Sequence, residues 1–200
     1  MSFNAAAQGR PSQRSVLADT LPRSALRDIA LVIGFAALVG ALAQVVILLP
    51  FTPVPITGQT FGVLAGGLAV GWRRAAAGMA VYALAGLAGV PWFAQAQGGL
   101  HSLVLPSFGY IVGFVVAATL LGELAERRCD RNPLTTLAAM AAGSFVIYLF
   151  GVTWLAATLH ISLVRAIQLG VIPFLIGDAI KSLLAAGLLP GTWRLLGRSG

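Results

Sequence analysis

Charge is what this sequence has least of. Asp, Glu, Lys and Arg together make up 10% of its 200 residues, where a soluble domain carries about 25%. With 58% hydrophobic residues and a mean hydropathy of +0.90, composition alone places the chain among membrane proteins. Cysteine is nearly absent too. The single Cys129 sits in the polar cluster ERRCDRN, which excludes an internal disulfide, and no Cys/His spacing suits zinc. His101 and His160 stand apart from each other and from the acids, so no metal is expected. The motifs of nucleotide and hydrolytic chemistry are also missing. The GQTFG of Gly58 to Gly62 lacks the lysine and spacing of a phosphate loop, and neither GxSxG nor HExxH occurs. No nucleophile, metal cluster or acid–base pair stands out beyond Asp178, so the sequence reads as a non-enzyme. Uphill transport would need a partner that supplies energy, or an ion gradient.

The formal net charge of +7 does not point to nucleic acid. The basic residues sit in short clusters between apolar runs, as loop anchors do, and build no basic face with interleaved aromatics. Residues 1–27 form a polar arm with Arg10, Arg14, Arg23 and Arg27. It is too long and polar for a signal-peptide n-region, and its composition offers nothing to bury. The apolar run that follows reads as a retained span.

That run, Ile29 to Leu49, holds 21 uncharged residues, close to the roughly 20 needed to cross a hydrocarbon core. Its small residues Ala30 and Gly34, Ala36 and Gly40, and Ala37 and Ala41 are each four apart, a spacing that lets helix backbones approach closely. Internal packing accounts for at least one pair; a groove for another subunit's helix is the competing use. Pro50, Pro53 and Pro55 then force an extended segment, polar in Thr57, Gln59 and Thr60, that serves either as a connector or as a lid over a site.

Two shorter apolar runs, Phe61 to Trp72 and Ala75 to Val90, hinge at Arg73–Arg74. The loop 91–110 is rich in Gly, Pro and amide, with Trp92, Gln95, Gln97 and Tyr110 as ligand-capable groups; interfacial anchoring is the ordinary role of such Trp and Tyr. Ile111 to Gly122 continues a fourth span, Leu134 to Leu159 forms a fifth, and a sixth follows Arg165 and Gln168, runs to about Leu189 and is interrupted at Pro173 and Gly177. The expectation is an all-α polytopic membrane protein. A membrane domain over 28–193 would hold six transmembrane helices, followed by a tail over 194–200. Lys and Arg concentrate in alternate connections, so both termini are expected in the cytoplasm.

Asp178 and Lys181 are the two charges deep inside an apolar run, in IPFLIGDAIKSLLA. At i and i+3 they share one helix face. Intramembrane ionisable residues are expensive enough to be read first as functional. An internal ion pair locking helices together is one reading; a polar end-plate for a zwitterionic or carboxylate-bearing ligand is the other.

The runs PFTPVPITGQTFGVLAGGLAVG, ALAGLAGVPWFA with GGL soon after, GYIVGF and IPFLIGDAIKSLLAA together resemble the BioY family, the biotin-binding S components of energy-coupling factor (ECF) transporters. The resemblance extends from about Ala25 to Leu189. It implies a six-helix protein of the bacterial cytoplasmic membrane that binds biotin near the external face, needs no cofactor, and works with a transmembrane coupling subunit and two ATPases. It maps Asp178 and Lys181 onto the family's acidic and basic site residues. Biotin's ureido N–H groups suit a carboxylate and its valerate carboxylate suits a cation, with the orientation left open. In the loop, PSFGY stands where the family has PTGGY, and no arginine is present, so Gln97 and Ser107 are candidate ligand groups without a matched counterpart. Gln59 joins them, with Trp92 and Tyr110 as walls for the bicyclic ring. The face of Ala30, Gly34, Ala37 and Ala41 becomes the dock for the coupling subunit. A self-sufficient or gradient-driven carrier, a membrane-embedded enzyme or assembly protein, and an S component for another vitamin are the alternatives.

Overall fold

The computed structural model describes residues 15–22 and 24–197. Besides four short 3-10 turns, the described residues form seven α-helices and one two-residue antiparallel strand pair: α1 (Ala25–Leu42), β1 (Val46–Ile47), β2 (Ile56–Thr57), α2 (Gln59–Val70), α3 (Trp72–Leu87), α4 (Phe108–Glu126), α5 (Pro133–Leu159), α6 (Leu163–Gly170) and α7 (Leu175–Leu195). The helices α1, α4, α5 and the stretch 163–195 are long and apolar enough to cross a membrane. The protein is thus a multi-pass helical membrane protein. Neither α2, apolar but 12 residues long, nor α3, 16 residues long with Arg73 and Arg74 in its first turn, reaches that length.

The centre is α4, packed against α5, α2 and α3, with α1 laid on α3 and α7 on α5 and α2. Backbones meet closely where glycine allows it. A Cβ on Gly122 of α4 would collide with the backbone of Gly71 and Trp72. Gly71 itself breaks α2 from α3 with φ +84°, a conformation open to glycine and strained for other residues. The break therefore falls just before Trp72, whereas the sequence suggested a hinge at Arg73–Arg74. Arg74 instead lies within the first turn of α3 and donates to Asp19 Oδ1 at 3.0 Å and Asp28 Oδ1 at 3.1 Å.

Three further boundaries differ from expectation. The first span ends at Leu42, not Leu49: Gly58 N–H donates to the Leu42 and Val45 carbonyls at 3.1 and 3.2 Å, and Val46 and Ile47 leave the helix to pair with Thr57 and Ile56. β-Branched residues accept either backbone, and the cross-strand partner decides. The region around Arg165 and Gln168 is helical rather than loop, capped by Ser162, whose hydroxyl accepts from Arg165 N–H. The chain then turns through Ile172–Phe174 into α7. Pro173 marks that junction, while Gly177 lies inside α7 without interrupting it, and α7 runs through a buried Pro190 to Leu195.

The polar arm, in its described part, does bury side chains. Val16 and Ala18 enter the core, the first capping and the second within a short 3-10 turn, Leu17–Thr20, held by the Asp19–Arg74 pair. Positions 1–14 and Arg23 of the expected arm, and 198–200 of the expected tail, lie outside the described residues.

Candidate functional site

The turn at Pro173 sets Asp178 in the first turn of α7, where the positive end of the helix dipole favours a carboxylate. Lys181, the chain's only lysine, follows three residues later on the same face. Its ammonium donates to Asp178 Oδ1 at 3.1 Å, Thr60 Oγ1 at 2.6 Å and the Thr57 carbonyl at 3.0 Å, which uses all three of its N–H donors. Thr60 in turn donates its hydroxyl to Asp178 Oδ1 at 3.2 Å, and Tyr148 of α5 donates to Asp178 Oδ2. The pair is neutral overall and tied to α2, α5 and the end of β2. Charges withdrawn from water are tolerable when so many hydrogen bonds satisfy them.

Above this cluster lies a cavity of about 180 Å³. Pro53 and Val54 of the proline-rich hairpin cover one side, and Phe93, Phe108, Tyr110 and Phe174 contribute rings. Thr57, Thr60, Gln97, Ser102 and Ser107 add polar groups to a mainly apolar wall. A concave, aromatic-lined space with a few convergent polar groups is the general form of a small-molecule site.

Six sequence-derived candidates, Asp178, Lys181, Gln97, Tyr110, Gln59 and Ser107, line this one cavity. Their side chains are not equally available. Gln59 is buried and points inward: its amide donates to the Tyr82 hydroxyl at 2.7 Å and its carbonyl accepts from Thr57 Oγ1 at 3.1 Å. Tyr110 spends its hydroxyl on the Gly170 carbonyl at 2.8 Å, tethering α4 to the end of α6. Gln97 Oε1 pairs with His101 Nε2 at 3.0 Å, which leaves its amide N–H groups unused by that contact.

Trp92 lies outside the cavity lining. Its indole N–H donates to the Tyr82 carbonyl at 2.9 Å, its ring packs at a 33° tilt against Tyr82 with centroids 5.3 Å apart, and it fills the space beside Gly40. It closes the α1–α3 seam. Gln44 reinforces that seam, donating to the Trp92 and Phe93 carbonyls at 3.2 Å each. On α1, Ala36 and Gly40 are buried, while Ala30, Gly34, Ala37 and Ala41 are all exposed on the outward face.

The structure adds site residues that the sequence did not single out as such: Tyr148, Thr60 and Ser102. Tyr148 carried the clearest signal, as a polar handle in the middle of an apolar 27-residue helix; a hydroxyl buried there needs a partner.

The fold and cavity define a helical membrane protein with an internal site of small-molecule size. Residues 12–198 match the BioY family, and the chain belongs to that family. It is 36% identical over 168 residues to the biotin transporter BioY of Rhizobium etli, covering 80% of this chain and 89% of that protein. It is 37% identical over 138 residues to the biotin transporter BioY of Thermotoga maritima, covering 69% and 80%. Its fold superposes with a TM-score of 0.77 on a crystal structure of the S-component for biotin from an ECF-type ABC transporter, at 22% identity, covering 86% of this chain and 95% of that one.

Proposed function

We propose that this protein is the biotin-binding S component of an ECF-type uptake system in a bacterial cytoplasmic membrane. The observation that carries the reading is the cavity with Asp178 and Lys181 at one wall and aromatic rings around it. Biotin is a fused bicyclic ring with a polar ureido edge and an aliphatic carboxylate arm. The Asp178 carboxylate keeps lone pairs for a ligand N–H, and the Lys181 ammonium can exchange one of its present acceptors for an acceptor on the ligand, while Tyr110, Phe108 and Phe174 suit its apolar faces. The chain itself needs no cofactor for this. Lacking a nucleotide motif, it depends on a transmembrane coupling subunit and ATPase subunits for energy, with the exposed small-residue face of α1 as the dock for the coupling subunit.

In this reading α1 to α5 and α7 make six crossings, the shorter α2 and α3 shielded by their neighbours, with the membrane domain over 28–193. The basic residues near the α2–α3 junction, the α4–α5 turn and the end of α7 put those ends and both termini in the cytoplasm. The cavity then opens outward beneath the hairpin. Equilibrium binding of labelled biotin to the purified protein tests the assignment. Stoichiometric binding that Asp178→Asn and Lys181→Ala both weaken is expected. Folded wild-type protein that ignores biotin sinks it.

A further inference from the structure

The short 3-10 turn Leu100–Val104, between α3 and α4, is built inside out. Leu100 and Val104 are 71% and 72% exposed and Leu103 is 37% exposed, while Ser102 between them is 1% exposed and lines the cavity. Packing alone would turn a leucine inward and the serine outward, since burying a hydroxyl without a partner is unfavourable. The backbone of Ser102 is satisfied: its N–H donates to the Gly99 carbonyl at 3.0 Å and its carbonyl accepts from Leu105 N–H at 3.1 Å. Its Oγ is not. Among the described residues it has no hydrogen-bond partner, and it is the only such buried side-chain atom contributed by a residue of the cavity wall.

We propose that Ser102 is a direct ligand-binding residue, its hydroxyl completing its hydrogen bonding on a polar atom of the bound molecule. The inference rests on the biotin reading and deepens it. The Asp178–Lys181 cluster sits on α7, α2 and α5, whereas Ser102 belongs to the α3–α4 loop, so a ligand bonded to both is held from two separate parts of the fold. A buried hydroxyl with no partner among the described residues calls for one, and a polar atom of a molecule in the cavity that Ser102 lines would supply it. A hydroxyl also both donates and accepts, so it suits either a ureido edge or a carboxylate without adding charge.

The test compares Ser102→Ala with wild type in two measurements: biotin affinity, and the melting temperature of the ligand-free protein. Alanine removes the hydroxyl and leaves the turn intact. Affinity is expected to fall roughly tenfold, while the ligand-free melting temperature stays the same or rises, because an unsatisfied polar group has been removed. Unchanged affinity overturns the proposal. So does a loss of affinity matched by a lower ligand-free melting temperature, which would put Oγ on a structural partner. Wild-type protein that fails to bind biotin overturns the functional reading beneath it, an outcome visible before any variant is made.

Discussion

Tyr148 and Asp178, 30 residues apart in the chain, are joined through the Tyr148 hydroxyl and Asp178 Oδ2. The bond crosses from α5 to α7 and leaves Oδ1 to face Thr60 and Lys181. Asp178 is thereby oriented before any ligand arrives, a preorganisation that lowers the ordering cost of binding.

Tyr148→Phe keeps the ring and deletes this bond. A hydrogen bond to a charged group contributes about 1.5–3 kcal/mol, so the ligand-free protein should melt at lower temperature and biotin affinity should fall roughly tenfold or more. Asp178→Asn should weaken binding further than Tyr148→Phe. Calorimetric titration in detergent or nanodiscs gives both affinities; the reverse order would mean that Tyr148 itself, not Asp178, meets the ligand.

The Asp178–Lys181 pair is open to a double-variant test of structure against binding. Lys181→Met leaves a carboxylate withdrawn from water without its cation, a loss of about 3–5 kcal/mol for a buried pair. Asp178→Asn with Lys181→Met removes both charges and should recover most of that stability. Biotin binding should nevertheless stay weak in the double variant. A double variant that binds like wild type would reduce the pair to a helix lock.

How much of this was legible in the sequence depends on what decides each feature. Asp178 and Lys181 were visible because charge inside an apolar run is rare and costly. The fifth helix was visible at both ends: Asn132 caps it, Pro133 opens it, and the expected span from Leu134 to Leu159 matches. Helix α6 was hidden because Arg165 and Gln168 look like loop residues unless the Ser162 cap and the apolar Leu163, Val164 and Ile167 are read as one amphipathic turn pair. The end of α1 was hidden because Val45, Val46 and Ile47 suit helix or strand alike, and Gly58, 16 residues after Leu42, settles the matter. Trp92 illustrates the limit for sites. Its type suits a ligand wall, yet the Tyr82 carbonyl and the gap at Gly40 claim it, and neither partner is adjacent in sequence. Ser102 was invisible for the same reason: a serine in a loop carries no mark of which way it faces.

Away from the cavity, Asp130 in the α4–α5 turn is fully buried, with the Trp193 indole N–H donating to its Oδ2 and the Arg131 guanidinium stacked 4.1 Å above the Trp193 ring. Burial pushes its carboxyl above the ordinary value of 3.8, against the opposing pull of the Trp193 bond and the Arg131 charge. The folded state therefore holds this proton more tightly than the unfolded state. Its contribution to stability is present below pH 3.8 and is lost as pH rises through the raised folded value. Asp130→Asn keeps an acceptor for Trp193 and removes the titration. Melting temperatures of wild type and variant across acidic to neutral pH should show the variant gaining on wild type as pH rises; parallel curves would mean that Asp130 is ionised at no penalty.

The two faces of α1 make opposite predictions from the same residue types. Ala37 and Ala41 are exposed, one turn apart, whereas Gly40 between them is buried against Trp92. Small residues one turn apart let a second helix approach closely, and among the described residues the outward pair is left exposed. Ala37→Trp or Ala41→Trp should leave biotin binding by the isolated protein within about twofold of wild type, as surface changes usually do, while uptake in cells that also make the coupling subunit and ATPases falls sharply. Gly40→Leu should do the converse, displacing Trp92 from the seam it closes beside Tyr82 and lowering stability and binding together. Measured side by side, binding and coupled uptake separate docking from packing: loss of binding in Ala37→Trp would assign that face to the protein's own interior contacts, and intact uptake would remove it from the partner interface.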